Sequence, residues 1–272
     1  MSVRPQLIGI LNVTPDSFYD GGELKTIDLV LKRAEQMLAD GADILEIGGQ
    51  STGPNSKDIS IHEEQRRVLP VIEAVRARFP QARLSVDTFT ADLAQAAIDR
   101  GVEIINDVTA GRGDARIFAV LAHSSASVVL MYAKDLTART TIAPTRYDDV
   151  IVTIRLFLAE RKRLAVEAGI APERIILDPG LGQFISSDPR YSFEILARLS
   201  EFLPLDCPIL VSPSRKSFLA GSEQLPTADR LPATVAASSI AVLHGASFIR
   251  THDVLEVRRA CNTAQSVWEL KR

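Results

Sequence analysis

The chain has 272 residues, 46% hydrophobic and 24% charged, which is ordinary for a globular protein and too long for a disulfide-stapled miniature. Its 31 basic and 34 acidic side chains leave a net charge of -3, so no global field favours nucleic acid or an anionic membrane, and any anion site must be local. Cys207 and Cys261 lack metal-type spacing, the apolar start is too short for a signal peptide, and no apolar run reaches the ~18 residues of a membrane span, so a reduced, cytoplasmic chain is expected.

In chain order, short runs rich in Ile, Val and Leu alternate with stretches at helical period. The strand-like runs are 7–13, 43–48, 84–87, 103–108, 127–131, 174–178, 208–212 and 247–251, and the helical patterns are 27–39, 61–78, 91–100, 146–168, 191–203, 234–243 and 254–270. Gly41, Gly101, Gly169 and Gly245 fall where a left-handed residue closes a helix before the next strand. Most strand runs are continuously apolar, as in parallel strands covered on both faces. Eight such units match a closed α/β barrel, the (β/α)8 TIM barrel, with an open doubly wound sheet as the competing arrangement. No Gly-, Pro- or Ser-rich linker interrupts the chain, so residues 1–272 are expected to form a single domain.

In such a barrel the functional groups collect at the C-terminal ends of the strands. The polar residues there are Asn12, then Gln50 with Ser51 and Thr52, Asp87, Asn106 with Asp107, Asp178, Ser214 with Arg215 and Lys216, and Arg250 with His252. Any one of them fits a helix cap, but capping does not require two acids, an amide, a Lys and an Arg-His pair at one mouth. Carboxylate and amide oxygens from Asp87, Asn106 and Asp178 suit a planar heterocycle with adjacent N–H donors, a purine- or pterin-like ligand. Lys216, Arg250 and His252 form a cationic counterpart for a ring carbonyl and a leaving phosphate or diphosphate. Asn12 offers an amide oxygen to a hard cation shared with phosphate, whereas nothing proposes zinc or a Ser/His/Asp triad. Two long loops, 14–24 and 50–60, are rich in Gly, Pro, Ser and Asp, and the first carries Phe18 and Tyr19 as a lid would over an aromatic substrate. Arg112 and the stretch Arg161 to Arg163 read as solvated surface.

These segments resemble the dihydropteroate synthases of the pterin-binding enzyme superfamily, in order and along nearly the whole chain. They are GILNVTPDSFYDGG, GADILEIGGQSTGP, SVDT, IINDV, ILDPGLG, SRKSFL and RTHDV. The resemblance implies a TIM barrel, generally a homodimer, that joins 4-aminobenzoate to 6-hydroxymethyl-7,8-dihydropterin diphosphate and releases diphosphate with magnesium (Mg2+). It assigns Asp87, Asn106, Asp178 and Lys216 to the pterin, Asn12, Thr52, Arg250 and His252 to the diphosphate, and Asn12 with Asp20 to the metal. It places Phe18, Thr52, Pro54, Phe184 and Ser217 around the aminobenzoate. Asp87, Lys216, Arg250 and His252 then carry the catalytic work.

The departures from the family fall around the acceptor. Gly53 stands where an Arg is usual, so Lys57 substitutes or the cation is dispensed with. GQFISS replaces Gly-Phe-Gly-Lys after the sixth strand, in a longer loop that shifts Phe184 along the pocket wall. MYAKDLT replaces Met-His-Met after the fifth, bringing in Tyr132 and Lys134. A longer sixth loop with a changed second loop resembles sulfonamide-insensitive relatives. A non-catalytic pterin-binding paralogue and a pterin-dependent methyltransferase are the rival functions, although a binder has no use for the diphosphate groups.

Overall fold

Strands covered on both faces dictate the architecture. In a computed structural model, which describes residues 4–13, 22–50, 53, 56 and 59–270, they build one eight-stranded parallel sheet. The strands are β1 Gln6–Asn12, β2 Ile44–Gly48, β3 Arg83–Asp87, β4 Ile104–Asp107, β5 Ser127–Met131, β6 Ile175–Asp178, β7 Leu210–Val211 and β8 Phe248–Thr251. Each is followed by a helix: α1 Gly22–Ala39, α2 Ile61–Arg78, α3 Ala91–Ile98, α4 Ile117–Ala122, α5 Val150–Glu167, α6 Pro189–Ala197, α7 Leu231–Leu243 and α8 Val254–Glu269. The sheet order runs β6-β5-β4-β3-β2-β1-β8-β7, and a parallel bridge between Leu177 and Ile209 joins the two ends into a barrel.

The two-residue period sorts every strand into an inward and an outward row. Outward residues such as Leu45, Ile47, Leu84, Val86, Ile105 and Leu177 pack under the helices in the main core. Inward residues Ile8, Ile44, Ile104, Val129, Ile176, Leu210 and Phe248 form a separate apolar cluster that plugs the lower barrel. Two residues further along, most of the inward rows turn polar, at Glu46, Asn106, Asp178, Ser212 and Arg250. The ladder sets Asn12 beside Gly48, Gly48 beside Asp87 and Asp87 beside Asn106, so one row of pairing carries three polar side chains across the mouth.

Most boundaries fall within a few residues of the sequence reading, and α2 spans the expected 61–78 with Pro70 inside it and Ser60 Oγ capping Glu63 N. The four expected glycines all have positive φ. The differences have local causes. The short α4 was not anticipated. The helix expected over 191–203 ends at Ala197 and continues as a 3-10 turn over Leu199–Leu205 that carries Pro204. The helix expected from 146 starts at Val150, where the Asp149 carboxylate accepts from Ile151 N and Val152 N. The strand expected over 208–212 shortens to two residues because Pro208 contributes only its carbonyl, to Leu177 N.

Arg112 and Arg161 are not solvated surface. The Arg112 guanidinium lies 4.8 Å from the Phe157 ring centroid and donates to Thr109 O and Ala133 O. Arg161 lies 5.3 Å from the Phe118 ring centroid and donates to Ala110 O at 2.6 Å. Both brace the turn after β4, whose carbonyls need donors once the chain leaves the sheet. Arg163 alone behaves as expected, being exposed between Glu160 and Glu167.

Candidate active site at the barrel mouth

The mouth is organised around a residue that the motif reading did not single out. Glu46, in the middle of β2, is fully buried. Its carboxylate accepts from Ser85 Oγ at 3.0 Å, from Asn106 Nδ2 at 3.2 and 3.3 Å, and from Arg250 Nε. A buried carboxylate is tolerable only with such a set of donors. The signal was present in DILEIG, where one acid interrupts an apolar strand that has no exposed face.

Glu46 determines how its neighbours are presented. Because the Asn106 amide nitrogen is held from below, its Oδ1 is a buried acceptor with no partner among the described residues. Arg250 carries its Nη2 onward to Asp87 Oδ2 at 3.1 Å, so the chain of charge runs Glu46, Arg250, Asp87. Burial pushes the Asp87 carboxyl up to about 7, with Arg250 opposing and Glu46 adding to the rise. Burial likewise raises Asp178 to about 6 against the pull of Lys216, while Asp178 Oδ1 accepts from Gly180 N at 2.7 Å. Lys216 reaches over Gly182, donates to Leu181 O at 3.3 Å and lies 5.3 Å from the Phe184 ring centroid, and burial lowers its ammonium to about 8.

His252 is held by Ser214, whose Oγ lies 3.0 Å from Nδ1 and accepts from the His252 main-chain N. Its Nε2 faces Asn12 Nδ2 at 3.5 Å, which turns the Asn12 amide oxygen toward the space above Gly48. Burial and the Arg250 charge depress the imidazole to about 4. The expected cationic set therefore loses a member: at neutral pH His252 is an uncharged donor and acceptor.

Two other strand-end residues are structural. Asp107 points away from the barrel interior, where it accepts from Thr109 N, Thr109 Oγ1 and Gly111 N and forms the turn that follows β4. Arg215 forks onto Asp253 at 2.7 and 2.8 Å and donates to Thr227 O and Ala228 O, bracing the loop after β7. Ser51, Thr52, Pro54 and Lys57 of the second loop, with Phe18, Tyr19 and Asp20 of the first, lie outside the described residues. Near Gly53, however, a cation arrives from a third element. Arg139, in the loop after β5, donates through Nε to Ser56 Oγ at 3.2 Å, and Ser56 donates to Gly53 O. Beside Lys216 the mouth is bordered by Phe184, in a 3-10 turn Gly182–Phe184, and by the exposed Ser217, whose Oγ lies 3.4 Å from Gln183 Nε2.

Among the described residues no three His, Cys, Asp or Glu side chains converge as a metal site. The Asn12 amide oxygen fits one role, a single protein ligand to a magnesium ion that a diphosphate already carries. No described helix is long and apolar enough to cross a membrane, and both cysteines are buried and unbridged.

A parallel barrel whose mouth presents acid, amide and ammonium groups to a flat N–H edge, beside an arginine, defines a heterocycle-binding (β/α)8 barrel. The chain belongs to the pterin binding enzyme family, whose model matches residues 8–252. It is 36% identical over 266 residues to a dihydropteroate synthase of Synechocystis, spanning 97% of this chain and 91% of that one. It is 36% identical over 268 residues to the dihydropteroate synthase of Escherichia coli, spanning 98% and 93%. Among solved structures it superposes on a Clostridium difficile dihydropteroate synthase, determined in the presence of pteroic acid, with TM-score 0.90, 35% identity and 97% of each chain covered. The Xanthomonas albilineans enzyme in complex with 7,8-dihydropteroate matches with TM-score 0.85 and 35% identity, covering 98% of this chain and 95% of that one.

Proposed function

We propose that the chain carries out the dihydropteroate synthase reaction, joining 4-aminobenzoate to 6-hydroxymethyl-7,8-dihydropterin diphosphate to give 7,8-dihydropteroate and diphosphate. The observation that carries this reading is the mouth itself, where acceptors for a ring N–H edge lie beside the Arg250 and Lys216 cations and Asn106 Oδ1 is buried with no partner among the described residues. Asp87, Asn106 and Asp178 take the pterin N–H groups and Lys216 its carbonyl. The arylamine nitrogen attacks the exocyclic methylene carbon, the bond from that carbon to the diphosphate oxygen breaks, and the nitrogen releases a proton as the new C–N bond forms. The Asp87 carboxylate stabilises positive charge that develops on the pterin, and Arg250, two of whose nitrogens are tied to Glu46 and Asp87, holds that carboxylate in place. Arg250, neutral His252 and Asn12 take the diphosphate oxygens.

Magnesium bound by Asn12 and the diphosphate, with Asp20 as a second contact, would neutralise charge on the leaving group. Thr52 belongs with the diphosphate oxygens and the aminobenzoate, and Phe18, Pro54, Phe184 and Ser217 enclose the aminobenzoate. With Phe184 on this wall, sulfonamides that project beyond the aminobenzoate are excluded while the substrate is admitted. The active form is a cytoplasmic homodimer of single-domain chains. The test mixes purified protein with dihydropterin diphosphate and magnesium and follows diphosphate release and dihydropteroate mass with and without 4-aminobenzoate. Product matched to diphosphate is expected. Pterin binding without product would instead establish a non-catalytic binder.

A further inference from the structure

The loop after β5 and the loop after β6 are bound together by polar contacts, and a buried lysine stands at their centre. Only 5% of the Lys134 side chain is exposed. Its ammonium donates to Gln183 O at 2.6 Å and Thr141 O at 2.7 Å, and contacts Asp135 Oδ2 and Thr140 Oγ1 at 2.9 and 3.0 Å. Its main-chain N donates to Phe184 O at 2.9 Å, so one residue grips the carbonyls of two successive residues of the sixth loop. Thr140 Oγ1 adds a second donor to Gln183 O at 2.7 Å.

Packing alone does not explain the placement of this loop. Phe184 rests on one side against the small apolar cluster of Val108, Met131, Ala133 and Ala138. Gln183 next to it lines a cavity of about 490 Å3 bordered by Phe193, Ser217 and Phe218. A turn beside a cavity has room to shift, and hydrogen bonds to its carbonyls oppose that shift. We propose that Lys134 is the positioning residue that fixes Phe184 against the acceptor pocket and thereby sets which arylamines the site admits. This inference rests on the reading of Phe184 as the acceptor wall.

The test compares Lys134→Met, which keeps length and the main-chain bond but removes the ammonium, with Thr140→Val and Phe184→Ala. For each variant, kcat, the KM values of both substrates and the inhibition constant of sulfamethoxazole are measured, with thermal melting as a check on folding. Lys134→Met is expected to reduce the ratio of inhibition constant to aminobenzoate KM by about ten-fold, as loss of one steric contact in a pocket does. The KM for dihydropterin diphosphate stays within about two-fold of the parent, a separation that general loosening of the fold does not produce. Thr140→Val moves the ratio in the same direction by less, and serves alone if Lys134→Met does not fold. Adding Lys134→Met to Phe184→Ala changes the ratio no further. If Phe184→Ala shifts the ratio and neither latch variant does, or if Lys134→Met impairs both substrates equally, the positioning role is overturned. If Phe184→Ala leaves the ratio unchanged, the reading of Phe184 as the wall fails first.

Discussion

Replacing Glu46 by glutamine changes one atom of a buried group and disturbs three partners at once. The carboxylate accepts from Arg250 Nε and Asn106 Nδ2 through Oε1, and from Ser85 Oγ and Asn106 Nδ2 through Oε2. Glutamine offers one acceptor oxygen and one donor nitrogen in the same space. The oxygen stays with Arg250, Ser85 can rotate to accept, and Asn106, although its Nδ2 keeps that oxygen at 3.3 Å, faces the new amide nitrogen at 3.2 Å. It escapes by flipping, which spends Oδ1 on residue 46 and turns Nδ2 toward the ligand. Removing one member of a buried ion pair costs roughly 3–5 kcal/mol, and the lower end applies because Asp87 remains beside Arg250. For a chain of this size the melting temperature falls by about 10 °C. A pterin N–H that meets a donor instead of an acceptor loses about 2–3 kcal/mol, or roughly 100-fold in Kd. Thermal melting and calorimetric titration with a pterin check the two numbers separately. A variant that melts within about 2 °C of the parent and binds pterin unchanged would refute the assignment of Glu46 as the residue that orients Asn106 and Arg250.

Asp87→Asn keeps the shape of the side chain but withdraws the carboxylate from the developing cation, so kcat falls by at least ~100-fold while the circular dichroism spectrum is preserved; normal turnover would rule out an electrostatic role. The raised carboxyls of Asp178, about 6, and Asp87, about 7, set a pH window. Because their folded values exceed their ordinary 3.8, their contribution to the stability of the ligand-free protein is complete below that value and is lost as pH rises through about 6 and 7. Pterin affinity follows the opposite course, strengthening through the same window as the carboxylates form, and a pH-independent Kd measured by calorimetry would contradict it. Gly180→Ala forces a Cβ to within 2.5 Å of Tyr132 O at a φ of +72, so a stability loss above ~2 kcal/mol is expected in urea unfolding.

The barrel was legible in the sequence because the strands are hydrophobic on both faces and recur with helices between them, a pattern local enough to read along the chain. The acid-amide-lysine set was legible too, since barrel geometry places strand ends at one mouth wherever the strands lie in sequence. What the order of residues could not supply was direction. Asn106 and Asp107 are neighbours in sequence, yet the pleat sends one into the mouth and the other into a turn. Glu46 gained a function only through Arg250, 204 residues away, and Ser85 and Asn106, 39 and 60 residues away. His252 read as a cation in the sequence, whereas burial beside Arg250 favours its neutral form. Lys134 read as a changed residue in one loop, whereas the fold sets it against the carbonyl of Gln183, 49 positions on. Pattern and composition determine which segments become strands and which polar residues reach the mouth, because both are fixed by burial along the chain. Orientation, protonation and the joining of loops depend on partners that only closure of the barrel brings within hydrogen-bonding distance.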